Sequence, residues 1–459
     1  MTDNSGDPSQ EQQERARAGL PGAPGWSEQS LRRAGIDPDR LSILYLGLPE
    51  GALRPPYPQW ARRLALGLAL WLLVFGLEWW GLTLAPWGEA AVSLGIGVLL
   101  LQAACEIFVL GSERLAARLD WDHYVAGTAA EILSTIPELV AIAFVIPVSP
   151  AAAFTLALIT IYLNTVVFSL YSFFLPKDTR GRFLMPRPIT EAGNQVLIAG
   201  AAIGLTLGLV MLALNASGAE AKATFAPVDL VVVGGVLLAV FGVYVYKLVA
   251  DYAQEESEVR EALNLGEAEV EERRELVYSH IGPHSIPVVL WLLLVGTAGA
   301  FMGGERVADF AGLALAELGF NPLITAFLLA GFAGMSEYVI IYNAHRKREF
   351  GIALANAFGG ITQVMFLVLP ATLLAIGVYQ AWINPGHSAL PLGFGLSNLF
   401  LLIFLFPTFF VLLELLEDDH TLGILDTTIM TAIVGLLILL LVTYGANGAQ
   451  APVGAGMTP

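Results

Sequence analysis

The chain has 459 residues, of which 56% are hydrophobic and only 14% charged, with a mean hydropathy of +0.67. A soluble domain of this length does not carry so few charges, so the sequence reads as an all-α polytopic membrane protein. A net charge of −17 argues against a nucleic-acid partner, and the lone Cys105 excludes a disulfide framework.

Residues 1–60 are polar, rich in proline and glycine, and mixed in charge. They are expected to form a flexible cytoplasmic tail with a short helix at "WSEQSLRRAGI", and nothing in them resembles a signal peptide. Apolar runs of about 20 residues then predict eleven transmembrane helices. The first, near 64–84, stands alone as an accessory helix within residues 61–88. Five follow in a first half (89–250), near 90–111, 124–146, 150–174, 190–214 and 228–250. A hydrophilic stretch at 251–285 separates them from five more in a second half (286–446), near 286–306, 323–342, 350–378, 391–414 and 421–444, before a short tail at 447–459.

Basic residues recur at every second loop: Arg62 and Arg63, Arg114 and Arg118, Lys177 to Arg187, Lys247 to Arg274, and "HRKR" at His345 to Arg348. Cytoplasmic loops carry such an excess, so the amino terminus is expected inside and the carboxy terminus outside, with the plasma membrane the expected location. The central loop "DYAQEESEVREALNLGEAEVEERRELVYSH" has ten acidic and three basic residues and reads as a solvated amphipathic linker on the cytoplasmic side.

The two halves superimpose at a single offset of 199 residues. At that register Glu106 falls on Glu305, Glu138 on Glu337, and Asn164 on Gln363. A unit of five spans followed by another must enter the membrane from the opposite side, so the repeats are inverted. Transporters built this way bind substrate near the midplane on interrupted helices.

The stretch "ILSTIPELVAI" has the ingredients of such an interruption. Pro137 removes an amide donor and frees the Leu133 carbonyl beside the hydroxyls of Ser134 and Thr135, with Glu138 following. Its partner "AGFAGMSEYVI" weakens the helix with Gly331 and Gly334 and sets Ser336 before Glu337. Two carboxylates, hydroxyls, freed carbonyls and the amide oxygens of Asn164 and Gln363 make an all-oxygen set suited to a hard cation such as calcium, bound as transported substrate with no cofactor. Glu138, Glu337, Asn164, Gln363, Thr135 and Ser336 are therefore the candidate ion ligands. Glu106, Glu305, Glu131 and Ser134 are candidates for an accessory ion path.

These residues resemble the cation/calcium exchanger superfamily, whose members contain two inverted alpha-repeats. "ILSTIPELVAI" is similar to its TSxPE or GNxPE element, and "SERLAARLDWD" to the TExLAxxxG element of the calcium/proton branch. In "EYVIIYNAHRKREFGIALANAFGGITQVMFLVLP", Gly359, Gln363 and Pro370 match that branch's GSxxQ element and the proline seven residues after it. The spacing of 26 residues from Glu337 to Gln363 equals that from Glu138 to Asn164. Tyr338 stands where a histidine is usual, Ser134 to Ile136 replace a glycine and asparagine, and Gly360 replaces a serine.

The resemblance implies ten core helices, one accessory helix, and alternating access with glutamates that trade calcium for protons. Like-charge repulsion and desolvation both oppose an empty site with two bare carboxylates, so only neutralised forms would cross between states. Sodium as counter-ion on the same site is the alternative reading. An intramembrane enzyme is disfavoured because all six histidines fall in loops or at span edges with no nucleophile and base paired. A channel is disfavoured by the inverted pseudo-symmetry.

Overall fold

The computed structural model describes residues 59–82, 84–119, 129–130, 132–177, 181–185, 187–216, 225–263, 285–346, 350–385, 396–417, 421–440 and 443. Eleven apolar helical segments appear among them, eight long enough to cross a membrane and three shorter, and they coincide with the eleven predicted spans. The chain is a multi-pass membrane protein. The amino-terminal tail, most of the acidic central stretch and the carboxy-terminal tail lie outside the described residues.

The accessory helix is α1 (Gln59–Trp79). The first half comprises α2 (Pro86–Leu119), α3 (Ile136–Val148), α4 (Pro150–Tyr171), α5 (Arg187–Ala216) and α6 (Pro227–Leu263). The second comprises α7 (Ile286–Ala316), α8 (Pro322–Ala333), α9 (Met335–Arg346), α10 (Phe350–Gln363), α11 (Leu369–Val378), α12 (Leu396–Glu417) and α13 (Ile424–Leu440). Proline sets many starts, where its missing N–H costs nothing: Pro137, Pro150, Pro322 and Pro370 all occupy the first two positions of a helix. Ser149 caps α4 by accepting a hydrogen bond from the Ala152 amide, and Asn321 caps α8 by accepting from that of Leu323.

Two spans are broken, and at equivalent positions. A helical segment at 132–134 meets α3 at a turn centred on Thr135, and α8 meets α9 at a turn on Gly334, 199 residues later. At the first, the Thr135 carbonyl accepts from the Leu139 amide at 3.1 Å. At the second, the Gly334 carbonyl accepts from both Glu337 (3.1 Å) and Tyr338 (3.3 Å). A further irregularity follows Gln363, where residues Val364–Val368 form a wide π-type turn leading into α11. Pro370 explains it, since its ring cannot follow a regular α-helical turn.

The repeats pack helix on equivalent helix: α2 lies along α7, and α5 along α12. Glycines allow the first of these approaches. A Cβ on Gly97 would lie 2.8 Å from Val307 and 3.1 Å from the Gly303 carbonyl, and one on Gly303 would lie 2.9 Å from Leu101. Gly111 at the other end of α2 faces Leu293, so the two helices run antiparallel, as inverted repeats require. The core element α4 is enclosed by α8, α10 and α13, with Phe168 edge-on to Phe358 at 5.6 Å.

Contacts distant in sequence agree with the predicted alternation of sides. One end holds the ion pair of Arg63 with Glu106 and the contact of the Tyr171 hydroxyl with His345 Nδ1 at 3.4 Å. There too β1 (Arg182–Leu184) pairs antiparallel with β2 (Thr421–Gly423), Phe183 opposite Leu422. This small sheet was not expected. Its segments are too short for periodicity to reveal and pair only because two loops meet on one side. The other end holds Arg306, 3.9 Å from Glu78 and stacked 5.8 Å over Trp71. Trp79, Trp80, Trp87 and Trp382 are strongly exposed at this end, as interfacial aromatics are.

The glycine contact between α2 and α7 makes a paired test. Gly97→Val should destabilise the detergent-solubilised protein by about 1–3 kcal/mol through overpacking, read as a lowered melting temperature. Gly95→Val, two residues away with nothing within 4 Å of its Cβ position, should leave melting unchanged.

Candidate functional site

The two helix breaks bring the repeat's polar residues together in the interior. Glu138 lies in the first turn of α3 and Glu337 in the first turn of α9, so each carboxylate occupies the amino end of a half-helix, where the helix dipole favours negative charge. Those two half-helices run in opposite directions across the fold. Glu138 is buried and Glu337 partly so. Thr160 stands beside the Glu138 carboxylate from α4, and the Tyr338 side chain lies within electrostatic range of both Glu337 and Glu138. Tyr338 folds back over the break, its hydroxyl 2.8 Å from where a Gly334 Cβ would stand.

Asn164 on α4 and Gln363 on α10 complete the group, and both are buried. They are held differently. The Thr135 hydroxyl donates to Gln363 Oε1 at 2.9 Å, joining the first break to the second repeat. The position equivalent to Thr135 is Gly334, which has no hydroxyl to offer. Asn164 accordingly keeps both its amide oxygen and its amide nitrogen buried without a hydrogen-bond partner, as does one carboxylate oxygen of Glu138. Asn164 Nδ2 and Glu337 Oε2 each lie 2.8 Å from the place a Cβ on Gly360 would occupy, hence no more than twice that distance from one another.

Unpaired polar atoms in an apolar interior cost about 1–3 kcal/mol each. Here the Asn164 amide stands beside Glu337, and Tyr338 is within electrostatic range of both carboxylates, a donor set that a cation would satisfy. Among the described residues no three His, Cys, Asp or Glu side chains cluster as they would around a resident metal. The acidic charge is limited to a pair, supplemented by neutral oxygens.

Of the other candidates, Ser134 is buried beside the first break. Ser336 opens α9 next to Glu337, and its side chain lies outside the described residues, as does Glu131 altogether. Glu106 and Glu305 are not brought into the cluster. Glu106 is ion-paired to Arg63 of α1, and Glu305 is exposed on α7. Asn398 bonds to Thr155 at 2.9 Å and Asp426 accepts from the Gly423 amide at 2.8 Å, both structural roles. Sequence reading passed over Thr160, although it stands four residues before Asn164 and so shares its helix face.

No protein-family model matches the sequence, and no curated protein matches it. Solved structures do match the fold. The crystal structure of the H+/Ca2+ exchanger CAX aligns with a TM-score of 0.56 at 12% identity, covering 84% of this chain and 88% of that one. The structure of native YfkE aligns at 0.55 and 13% identity, covering 83% and 98%. The chain has the cation/calcium exchanger fold. A sodium-calcium exchanger, NCX_Mj, also aligns, with a TM-score of 0.44 at 17% identity over 76% of this chain. Counted from α2 and α7, the breaks at Thr135 and Gly334 fall in the second span of each half.

The pairing of Arg63 with Glu106 separates attachment of α1 from the cation cluster. A double-mutant cycle with Arg63→Met and Glu106→Gln should give a coupling of about 0.5–1 kcal/mol in thermal stability. The same cycle between Arg63→Met and Glu138→Gln should give none.

Proposed function

We propose that the chain is a secondary antiporter that exchanges Ca2+ for H+ by alternating access through a site at Glu138 and Glu337. The observation that carries this reading is a buried Asn164 amide without a hydrogen-bond partner beside Glu337, with Tyr338 in electrostatic range of both Glu337 and Glu138. The structural likeness to an H+/Ca2+ exchanger supports it.

In this mechanism the ion is held by Glu138, Glu337 and the Asn164 oxygen, with Gln363, Thr135 and Ser336 as further oxygen donors. Two negative charges neutralise one divalent ion. Removing the ion leaves two carboxylates facing an apolar interior, a state too costly to occlude, so protons must take its place before the protein can change its orientation. Ions and protons thereby compete for the same oxygens, and that competition is the coupling. No covalent chemistry is required, and the chain acts as a transporter rather than an enzyme. The basic loops support an amino terminus in the cytoplasm and a carboxy terminus outside, and the reading takes the plasma membrane as the location.

Calcium flux in sealed proteoliposomes tests the reading. An imposed pH gradient should drive Ca2+ uptake at zero sodium, whereas uptake driven by a sodium gradient at clamped pH would assign sodium as counter-ion. Glu138→Gln and Glu337→Gln should each abolish exchange with melting behaviour near that of the parent. Retained flux in the double variant would remove both from the site.

A further inference from the structure

We propose that Gly360 is the size-determining position of the cation site. By presenting no side chain between Asn164 and Glu337, it leaves room for a large divalent cation and so favours Ca2+ and Sr2+ over Mn2+ and Mg2+. This inference rests on the exchange reading above and adds to it the basis of selection among divalent ions.

Gly360 lies in α10 and is buried where that helix meets α4 and α9. Glycine in a helix interior costs about 1 kcal/mol relative to alanine, so its presence needs a local reason. At Gly97, Gly204 and Gly234 the reason is close helix packing, because a Cβ would meet backbone or core side chains of a neighbouring helix. At Gly360 the atoms in the way are instead Asn164 Nδ2 and Glu337 Oε2, both at 2.8 Å, with Asn164 Cγ next at 3.3 Å. The absent side chain therefore leaves two polar side chains from different helices uncrowded, the same two that supply oxygens in the exchange reading.

The opening belongs to one half only. At the offset of 199 residues, the equivalent of Gly360 is Ile161, which is fully buried. Gly334, the equivalent of Thr135, likewise leaves Asn164 without the partner that Gln363 has. Both glycine replacements fall in the second repeat and both free the surroundings of Asn164. The ion site is thus set toward Asn164 and Glu337, the side on which Gly360 presents no side chain. Size matters there because Ca2+ takes 6–8 oxygens at about 2.3–2.6 Å, whereas Mg2+ demands a tighter octahedron at about 2.0–2.1 Å. A Cβ on Gly360 would push the two flexible ends away and shrink the shell.

The test uses the full chain in proteoliposomes, comparing wild type with Gly360→Ala and Gly360→Ser, with Ca2+, Sr2+, Mn2+ and Mg2+ as competing ions. In the wild type, Sr2+ should inhibit Ca2+ uptake more strongly than Mn2+ or Mg2+. The reverse order overturns the inference even if neither variant folds. In Gly360→Ala the melting temperature should hold, because only side-chain ends must yield, while half-saturating Ca2+ rises by about tenfold or more. Mn2+ should then gain on Sr2+ as competitor. Divalent transport with an unchanged order of preference in both variants overturns the role of Gly360 alone. A wild type that transports no divalent cation overturns the exchange reading and this inference with it.

Discussion

Two carboxylates set in an apolar bundle, Glu138 buried and Glu337 partly so, dictate the terms for the rest of this structure. A charged side chain at the centre of a bilayer costs about 2.5–3.5 kcal/mol on insertion scales, and a second one nearby adds repulsion. The fold offsets part of this cost by interrupting the helices that carry them. Each glutamate then begins a half-helix and faces the positive end of its dipole. Thr160 sets a polar hydroxyl beside Glu138, and Thr135 fixes Gln363 across the repeat boundary. These contacts leave one oxygen of Glu138 and the whole amide of Asn164 without a hydrogen-bond partner, and under the proposed exchange a bound cation or proton completes them.

The scaffold around the breaks has the opposite character. Antiparallel α2 and α7 approach closely through Gly97 and Gly303, and α5 against α12 likewise, with Leu405 2.8 Å from where a Cβ on Gly204 would stand. In lipid, where no hydrophobic force draws helices together, small residues of this kind supply the packing. The accessory α1 spans both repeats, binding Glu106 of the first through Arg63 and Arg306 of the second through Glu78. Close-packed continuous helices thus hold a frame while the interrupted ones place polar groups inside it. Rigid frame and irregular centre follow from one requirement: non-helical backbone is tolerated at membrane depth only where protein surrounds it.

Much of this was legible in the sequence because membrane proteins write their constraints in long runs. Eleven apolar segments, the fivefold count in each half and the offset of 199 residues gave the architecture, and Pro137 and Gly334 marked the breaks. The juxtaposition of Glu337 with Asn164, and of Thr135 with Gln363, follows from inverted symmetry once the register is known. Other features depend on atoms that symmetry does not relate. Glu106 and Glu305 share a register position, yet one meets Arg63 and the other water or lipid, because only one copy of α1 exists. The β1–β2 pair joins two loops too short to show a period. Thr160 stood in plain view at helical spacing from Asn164, but a threonine in an apolar helix usually bonds its own backbone, as this one does to Leu156.

The central claim is that a divalent cation and protons occupy the same pair of buried carboxylates and exclude one another. Titrating Ca2+ into the purified protein in weakly buffered detergent solution, while recording pH, tests it most directly. The account predicts that saturating Ca2+ releases protons in stoichiometric amount, and that the release disappears in a Glu138→Gln, Glu337→Gln double variant. Saturable Ca2+ binding with no proton released, or release unchanged by that double replacement, would contradict it.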